Sequence, residues 1–597
     1  MRARPCPQTQ SGLPLVGIAI PLLAVIAIVA LRVPFSHGDL LKSDEAIYAV
    51  EARAWSNGLL PGRDVWDNKP PGMAALYLLA SHLPGGTIAG TRLLALLFSV
   101  VSLLLTLRLS QLVAPNLPAY PVAIAYVLIT HANGWPPGEW IVLNGELPST
   151  CFVTLAAWCL AEWAHRREQY ATVASPASSG PWVLVLLAGL FSGAGMLFRQ
   201  TALLPVAAMA VWLIWATSRR GALKPLGTAA LGVALAWVPL VYYFWSQGAL
   251  HYLWAAIGGH GLAYASQSVA MADAWRSLRE GLGVGVLPEL LVLALIGLAF
   301  AISKSLRLRR QSHPAGQVLL LLSLVWGLGS LLSVLPGGHL FGHYFLQLAP
   351  AWALAAGLGV ARMMRFAESR VVRLAAYAAI VLGLLVLAGR LVALQPAGAQ
   401  IACLWLVACL GAFVVGNLPR ESTMAQVVLA ATMLLLALSV ATGVATDGAR
   451  SANREAFTAV AAQIQARTTP SDRIVVWAWA PQVYWYSERL PACRDLTLNY
   501  SLGWIGQRPG ELFPGARAAF LDDLDRTRPR MIAVANDDLL PYTTSLAWKP
   551  AAAPEIWAFI HNNYRVSARL PHWDLYELKP KRSPAQVPAI PRPEIGI

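Results

Sequence analysis

Leu13–Leu31 reads LPLVGIAIPLLAVIAIVAL, an uninterrupted apolar run with no charged residue. About 20 such residues are needed for a helix to cross the roughly 30 Å hydrocarbon layer of a bilayer. Arg2 and Arg4 precede the run and no small-residue cleavage pattern follows it, so it reads as a retained span rather than a removed leader. The same pattern recurs along the chain, at 86–112, 117–133, 148–164, 182–198, 201–217, 226–245, 285–303, 317–335, 346–362, 374–392, 399–416 and 423–443. That predicts a polytopic α-helical membrane protein with about 13 transmembrane helices. Of 597 residues, 57% are hydrophobic and only 13% charged, which excludes a single water-soluble globule. The alternating ten-residue segments of a membrane barrel are absent.

The net charge of +15 has its cause in the same map. Arg166 and Arg167, Arg219, Arg220 and Lys224, Lys304 to Arg310, Arg362 to Arg373, and Arg420 fall on alternate loops, as the positive-inside rule demands. The expectation is a multi-pass protein of the cytoplasmic (inner) membrane with its N-terminus in the cytoplasm. Topology accounts for the basic balance, and no nucleic-acid partner is needed. After about residue 445 the composition turns soluble. Residues 1–444 are expected to form the transmembrane domain, with a first outer loop at 34–85. Residues 445–580 form an extracytoplasmic α/β domain, and 581–597 a disordered Pro-rich tail. In the outer domain, helices are expected at 455–467, 517–526 and 554–563 and strands at 473–478, 531–535 and 573–578. No GxGxxG or Walker pattern accompanies them.

Acids are scarce before residue 445, yet six sit in the first outer loop: Asp39, Asp44, Glu45, Glu51, Asp64 and Asp67. If the chain after Ser43 is helical, Asp44, Tyr48 and Glu51 share one face. Lys69 stands before Pro70 and Pro71, which suit the first turn of a helix over 70–83, and a lysine beside a helix N-terminus can bind phosphate. A plainer account is also open: Ser43 as a cap with Asp44 and Glu45 in the first turn explains the acidic pair, and Lys69 alone can be a surface lysine. A second constellation is Gly337–Pro350, where His339, His343 and Tyr344 occupy a short outer turn. The i, i+4 histidines can bind metal, but a third ligand is missing and structural or substrate hydrogen bonding ranks ahead. Asn144, Glu146, Arg199 and Gln200 are further polar groups on that side. Trp66, Trp135, Trp140 and Trp254 suit an interfacial aromatic belt.

Together these motifs resemble the polyprenyl-phosphate-sugar-dependent GT-C glycosyltransferases, and within them the bacterial protein O-mannosyltransferase-like group that includes the lipid A aminoarabinose transferases. The matching residues are Asp44-Glu45 with Tyr48, Asn68-Lys69-Pro70-Pro71, Arg92, Asn144-Gly145-Glu146, Phe198-Arg199-Gln200 and His343-Tyr344-Phe345. Val475-Val476-Trp477, Tyr484 and Pro529–Ala535 of the outer domain also fit. The resemblance implies transfer of one sugar from a polyprenyl-phosphate carrier to lipid A, a glycan, a glycolipid or a protein, by inverting displacement at the outer membrane face. It implies Asp44 and Glu45 as catalytic, Asp44 being the base, with Lys69, Tyr48 and Arg199 on the donor phosphate. Glu146, Asn144, His343 and Tyr344 would line the substrate pocket. The resemblance names no certain cofactor and leaves open a divalent metal on Asp44 and Glu45. A multi-span transporter or lipid flippase is the alternative, but it would place ionisable groups or broken helices at the midplane.

Overall fold

Each apolar run that falls within the described residues folds as a helix. The structure, a computed structural model, describes residues 13–33, 40–115, 119–131, 139–173, 182–217, 221–265, 315–336, 340–366, 452–503, 510–536 and 553–580. The expected spans at 285–303, 374–392, 399–416 and 423–443, together with His339, Trp135 and the tail after residue 580, lie outside them. Two units are distinguishable: residues up to Ser56, Pro61–Arg63 and Asp67–Ser451 form one, and Asn57–Leu60, Asp64–Trp66 and everything from Ala452 form the other.

In the first unit the order is α1 (Leu13–Arg32), α2 (Ser43–Ser56), α3 (Gly72–Ser81), α4 (Gly86–Val113), α5 (Ala119–His131), α6 (Glu146–Val173) and α7 (Trp182–Met196). Then come α8 (Leu203–Thr217), α9 (Leu223–Ser246), α10 (Leu250–Trp254), α11 (Gly261–Ala265), α12 (Ala315–Leu332) and α13 (Ala349–Phe366). Among the described residues, Gly86–Val113, Gln200–Thr217 and Leu223–Ser246 are long and apolar enough to cross a membrane. Trp163, Trp212, Trp326 and Leu354 lie in the core where α6, α8, α12 and α13 meet. The neighbours of α7 are α6 and α9, and those of α1 are α4 and α5. α9 instead exposes Leu231, Leu235, Val238, Tyr242 and Trp245, the composition of a lipid-facing surface.

Irregular backbone at 139–145 is buried, so its carbonyls need donors. Arg32, at the end of α1, supplies them: its Nη2 and Nη1 donate to the carbonyls of Trp140 and Ile141 at 2.7 and 2.9 Å, and its Nε to His131 Nε2 at 3.0 Å. Tyr77 of α3 donates its hydroxyl to the Leu143 carbonyl at 3.1 Å. Two glycines then admit a neighbouring strand of chain. A Cβ on Gly72 would collide with the Leu197 carbonyl, and one on Gly145 would lie 2.8 Å from the Phe198 carbonyl oxygen. The start of α3, the turn before α6 and the segment ahead of Arg199 therefore press together.

The second unit is a five-stranded sheet of order β2-β1-β3-β5-β4. Strands β1 (Arg473–Trp477), β2 (Leu490–Pro491) and β3 (Met531–Ala535) are parallel, while β4 (Tyr564–Arg569) and β5 (Trp573–Leu578) are antiparallel to each other and β5 is antiparallel to β3. Its helices include α14 (Ala452–Gln465), α15 (Gln482–Ser487), α16 (Asn499–Leu502), α17 (Ala516–Thr527) and α18 (Pro554–Asn563). Strands β2 and β4 were not expected. The first is two residues long, and the second is a bulged edge strand whose sequence, YRVSAR, does alternate Tyr564, Val566 and Ala568 with Arg565, Ser567 and Arg569, but over six residues only.

The aromatic-belt expectation needs correction. Trp66 belongs to the second unit, where it packs edge-on against Phe513 and Tyr500 and donates its backbone N–H to the Arg494 carbonyl. Trp140 is fully buried beside His131. Trp254 alone of the three described is exposed, stacked on Trp237.

Replacing Arg32 by Met is expected to leave two buried carbonyls without donors and to cost on the order of 3 kcal/mol. A thermal unfolding midpoint in detergent equal to that of the parent would show that Arg32 does not hold this turn.

Candidate active site around the first outer loop

Helix α2 begins at Ser43 and is buried on all sides from Glu45 to Ala52, taking Glu45, Tyr48 and Glu51 out of water. Its first two acids part company. Glu45 is fully buried and its carboxylate takes both Nη atoms of Arg92 on α4, Nη2 donating to Oε2 at 3.0 Å, while the Leu41 N–H donates to Oε2 at 2.9 Å. Asp44 faces the other way, with Lys42 Nζ and His343 Nε2 each 3.7 Å from Oδ2. A divalent cation held by both acids is therefore not what this arrangement provides. Among the described residues no group of three or more His, Cys, Asp or Glu is placed to hold a metal.

One turn along α2, Tyr48 accepts a 2.5 Å hydrogen bond from Lys69 Nζ. The expected helix over 70–83 is α3, with Pro71 at its N-cap and Lys69 just before it. Gln200 donates to the Asn68 carbonyl and so ties the Lys69 turn to the segment after Arg199. Glu146, in the first turn of α6, pairs with Arg199, whose Nε donates to Thr201 Oγ1 at 3.0 Å and whose guanidinium lies 4.1 Å from the centre of the Tyr344 ring. Asn144 is buried, with its Nδ2 3.4 Å from the Glu139 carbonyl and its Oδ1 without a hydrogen-bond partner among the described residues.

The structure thus brings Asp44, Tyr48, Lys69, Asn144, Glu146, Arg199, His343 and Tyr344 into one region, although they come from five separate stretches of chain. His343 is the hinge of the arrangement: its Nε2 is 3.7 Å from Asp44 Oδ2 and 3.7 Å from Glu146 Oε1.

Electrostatics follow from who faces whom. Burial pushes the Asp44 carboxyl up, but Lys42 and Lys69, joined by His343 when that ring carries a charge, outweigh it and hold the group below its ordinary value. Burial would likewise pull the Lys69 ammonium down, and Tyr48, Asp67 and Asp44 together hold it well above its usual range. Glu51, buried with one oxygen unpartnered among the described residues, is pushed well up by burial and by Asp67, against the pull of Lys69.

Two members were not singled out from the sequence. Lys42 Nζ lies 2.6 Å from Glu139 Oε1, and Glu139 Oε2 in turn meets the ring and backbone N–H of His343. In a chain so poor in acids, an outer-side glutamate seven residues ahead of Glu146 was the available signal.

No family model and no curated protein matches the chain by sequence. By structure it is similar to ArnT from Cupriavidus metallidurans bound to undecaprenyl phosphate, with TM-score 0.58 and 15% identity over 93% of this chain and 97% of that one. The apo state of the same protein gives 0.56 at the same identity and coverage. The oligosaccharyltransferase of Archaeoglobus fulgidus in its apo form gives 0.50 and 12% identity over 87% and 69%. The chain therefore has the GT-C fold that its motifs resemble.

Removing Arg92 with Arg92→Leu strands the buried Glu45 carboxylate and is expected to cost about 3–5 kcal/mol. The double variant Glu45→Leu/Arg92→Leu should unfold at a higher temperature than Arg92→Leu alone. Equal midpoints for the two would remove the ion pair as the reason Glu45 is there.

Proposed function

We propose that the chain is a membrane glycosyltransferase that moves a single sugar from a polyprenyl-phosphate carrier to an acceptor at the outer face of the cytoplasmic membrane, with inversion at the anomeric carbon. The observation that carries this reading is the shared facing of Asp44 and Glu146 toward one imidazole nitrogen, beside the Lys69–Tyr48 pair. A displacement of this kind needs a base for the incoming hydroxyl and cations for the departing phosphate. Both kinds of group meet here. The fold likeness to a protein bound to undecaprenyl phosphate supports the carrier class.

In this reading Asp44 takes the acceptor proton while the acceptor oxygen attacks the anomeric carbon and the bond to the phosphate oxygen breaks. Lys69 and Tyr48 receive the phosphate, and Arg199 adds a second cation, fixed in place by Glu146 and the Tyr344 ring. Glu45 acts by position: its bond to Arg92 anchors the start of α2 and so the direction of Asp44. Asn144 and His343 line the space next to Asp44.

A carboxylate held below its usual value is a weak base, and the donor itself offers the remedy. An anionic phosphate on Lys69 offsets one of the cations that depress Asp44, so its proton affinity rises when the donor is bound. Free, the site keeps Asp44 ionised; loaded, it becomes a better base.

Comparing surface lipids and glycans by mass spectrometry with and without the chain in its host tests the reading directly. Loss of one hexose, pentose or uronic acid is expected; unchanged glycans together with impaired solute uptake would replace the transferase by a transporter. Asp44→Asn is expected to lower transfer at least 100-fold while leaving membrane insertion and the thermal midpoint in place. Full activity would remove Asp44 as the base. Lys69→Ala is expected to raise the donor KM. Because it also deletes a cation that lowers Asp44, the carboxyl rises and the acid limb of the pH–rate profile moves to higher pH. An acid limb that stays put or moves down contradicts the coupling.

A further inference from the structure

His343 is placed with unusual thoroughness for a residue on a 3₁₀ turn, Gly342–Leu348. Its ring is 4% exposed, lies parallel to Phe341 with centroids 5.8 Å apart, and meets the Tyr344 ring edge-on at 4.8 Å. Four charged side chains face its two nitrogens. Lys42 Nζ is 2.8 Å from Nδ1 and Glu139 Oε2 is 2.5 Å from the same atom, while Asp44 and Glu146 stand on the Nε2 side. Arg199 adds a fifth charge through Glu146 and the neighbouring Tyr344.

Glu139 is the only one of these that holds His343 at two points: Oε2 also accepts the backbone N–H of His343 at 3.0 Å, and Oε1 takes Lys42. Burial pushes its carboxyl up, but Lys42 and His343 reverse that and hold it well below the usual carboxylate range. It is therefore an acceptor at any working pH. Lys42 can only donate and Glu139 can only accept, and both meet Nδ1. Since Lys42 Nζ already donates to Glu139 Oε1 at 2.6 Å, a proton on Nδ1 aimed at Glu139 Oε2 satisfies the carboxylate, and in the neutral ring this leaves the lone pair on Nε2. Nε2 is the atom that faces Asp44.

We propose that Glu139 is a positioning residue that sets the tautomer and direction of His343, so that His343 receives from Asp44 the proton taken from the acceptor. This rests on the transferase reading above. The balance is complete. As the acceptor oxygen bonds to the anomeric carbon, its proton moves to Asp44 Oδ2, and the electron pair of the broken bond goes to the phosphate. The proton then passes from Oδ2 to His343 Nε2, restoring the carboxylate, and the imidazolium returns it to solvent. The 3.7 Å gap is closed by rotation of the Asp44 carboxyl once it carries the proton. Neither Asp44 nor Glu146 then has to hold the proton while the product phosphate leaves.

The test is a double-mutant cycle on the full-length protein in membranes. It uses whichever of the undecaprenyl-phosphate-linked mannose, galacturonic acid, arabinose or aminoarabinose donors the parent turns over. Glu139→Gln keeps the hydrogen bond to the His343 backbone but not the charge, and is expected to lower kcat about 10- to 100-fold with donor KM within about twofold. In a His343→Gln background the same change should cost nothing further, since Glu139 acts through the ring. Equal losses in both backgrounds, or a raised KM with kcat unchanged, would overturn the relay. If Glu139→Gln lowers the thermal midpoint, the cycle is run with Glu139→Asp, with the same expected and overturning results. A parent inactive with every donor would instead remove the transferase reading, and this inference with it.

Discussion

A carboxylate withdrawn from water costs several kcal/mol unless a cation or hydrogen-bond donors share its cavity. Around the start of α2 that constraint is met by interlocked pairs: Glu45 with Arg92, Glu146 with Arg199, and Asp44 and Glu139 with Lys42. The partners come from α2, α4, α6 and the chain ahead of α8, so satisfying the charges also sets the relative placement of those elements. Packing of small residues then allows the backbones to close. Gly72 and Gly145 both abut the 197–198 backbone, and the Arg199 guanidinium reaches Glu146 as a result.

Neighbouring acids acquire opposite tasks under this constraint. Asp44 and Glu45 are adjacent on a helix, so their side chains diverge by about 100°. One is saturated by a bidentate arginine and two hydrogen-bonding directions are used up; the other keeps looser contacts at 3.7 Å. The same division separates Glu139, fully engaged, from Asn144, whose side-chain oxygen has no protein partner among the described residues.

The helical spans were legible because lipid forces every spanning segment to be apolar and to satisfy its own backbone. The helix after Ser43 and the helix after Pro71 were legible from capping residues and proline. In the second unit, strands β1, β3 and β5 announced themselves by β-branched and aromatic residues, whereas β4, although Tyr564, Val566 and Ala568 alternate with polar residues, was passed over because that repeat has only three apolar positions, the last of them an alanine. Glu139 was missed for a different reason. It sits in irregular chain, where no period assigns a direction to a side chain, and its partners Lys42 and His343 are about 100 and 200 residues away in sequence.

By itself the sequence determined the apolar helices, the mixed helix-and-strand make-up of the second unit and the concentration of acids in one loop, because hydropathy, caps and charge counts are local properties of a chain. It also placed Asp44, Tyr48 and Glu51 on one helical face, which follows from 3.6 residues per turn alone. Only the tertiary structure decided which acid is locked to an arginine and which keeps longer contacts to Lys42 and His343. The identity of a cation 47 residues away, as for Arg92 and Glu45, depends on how helices pack, and helix packing is set by shapes that no single segment contains.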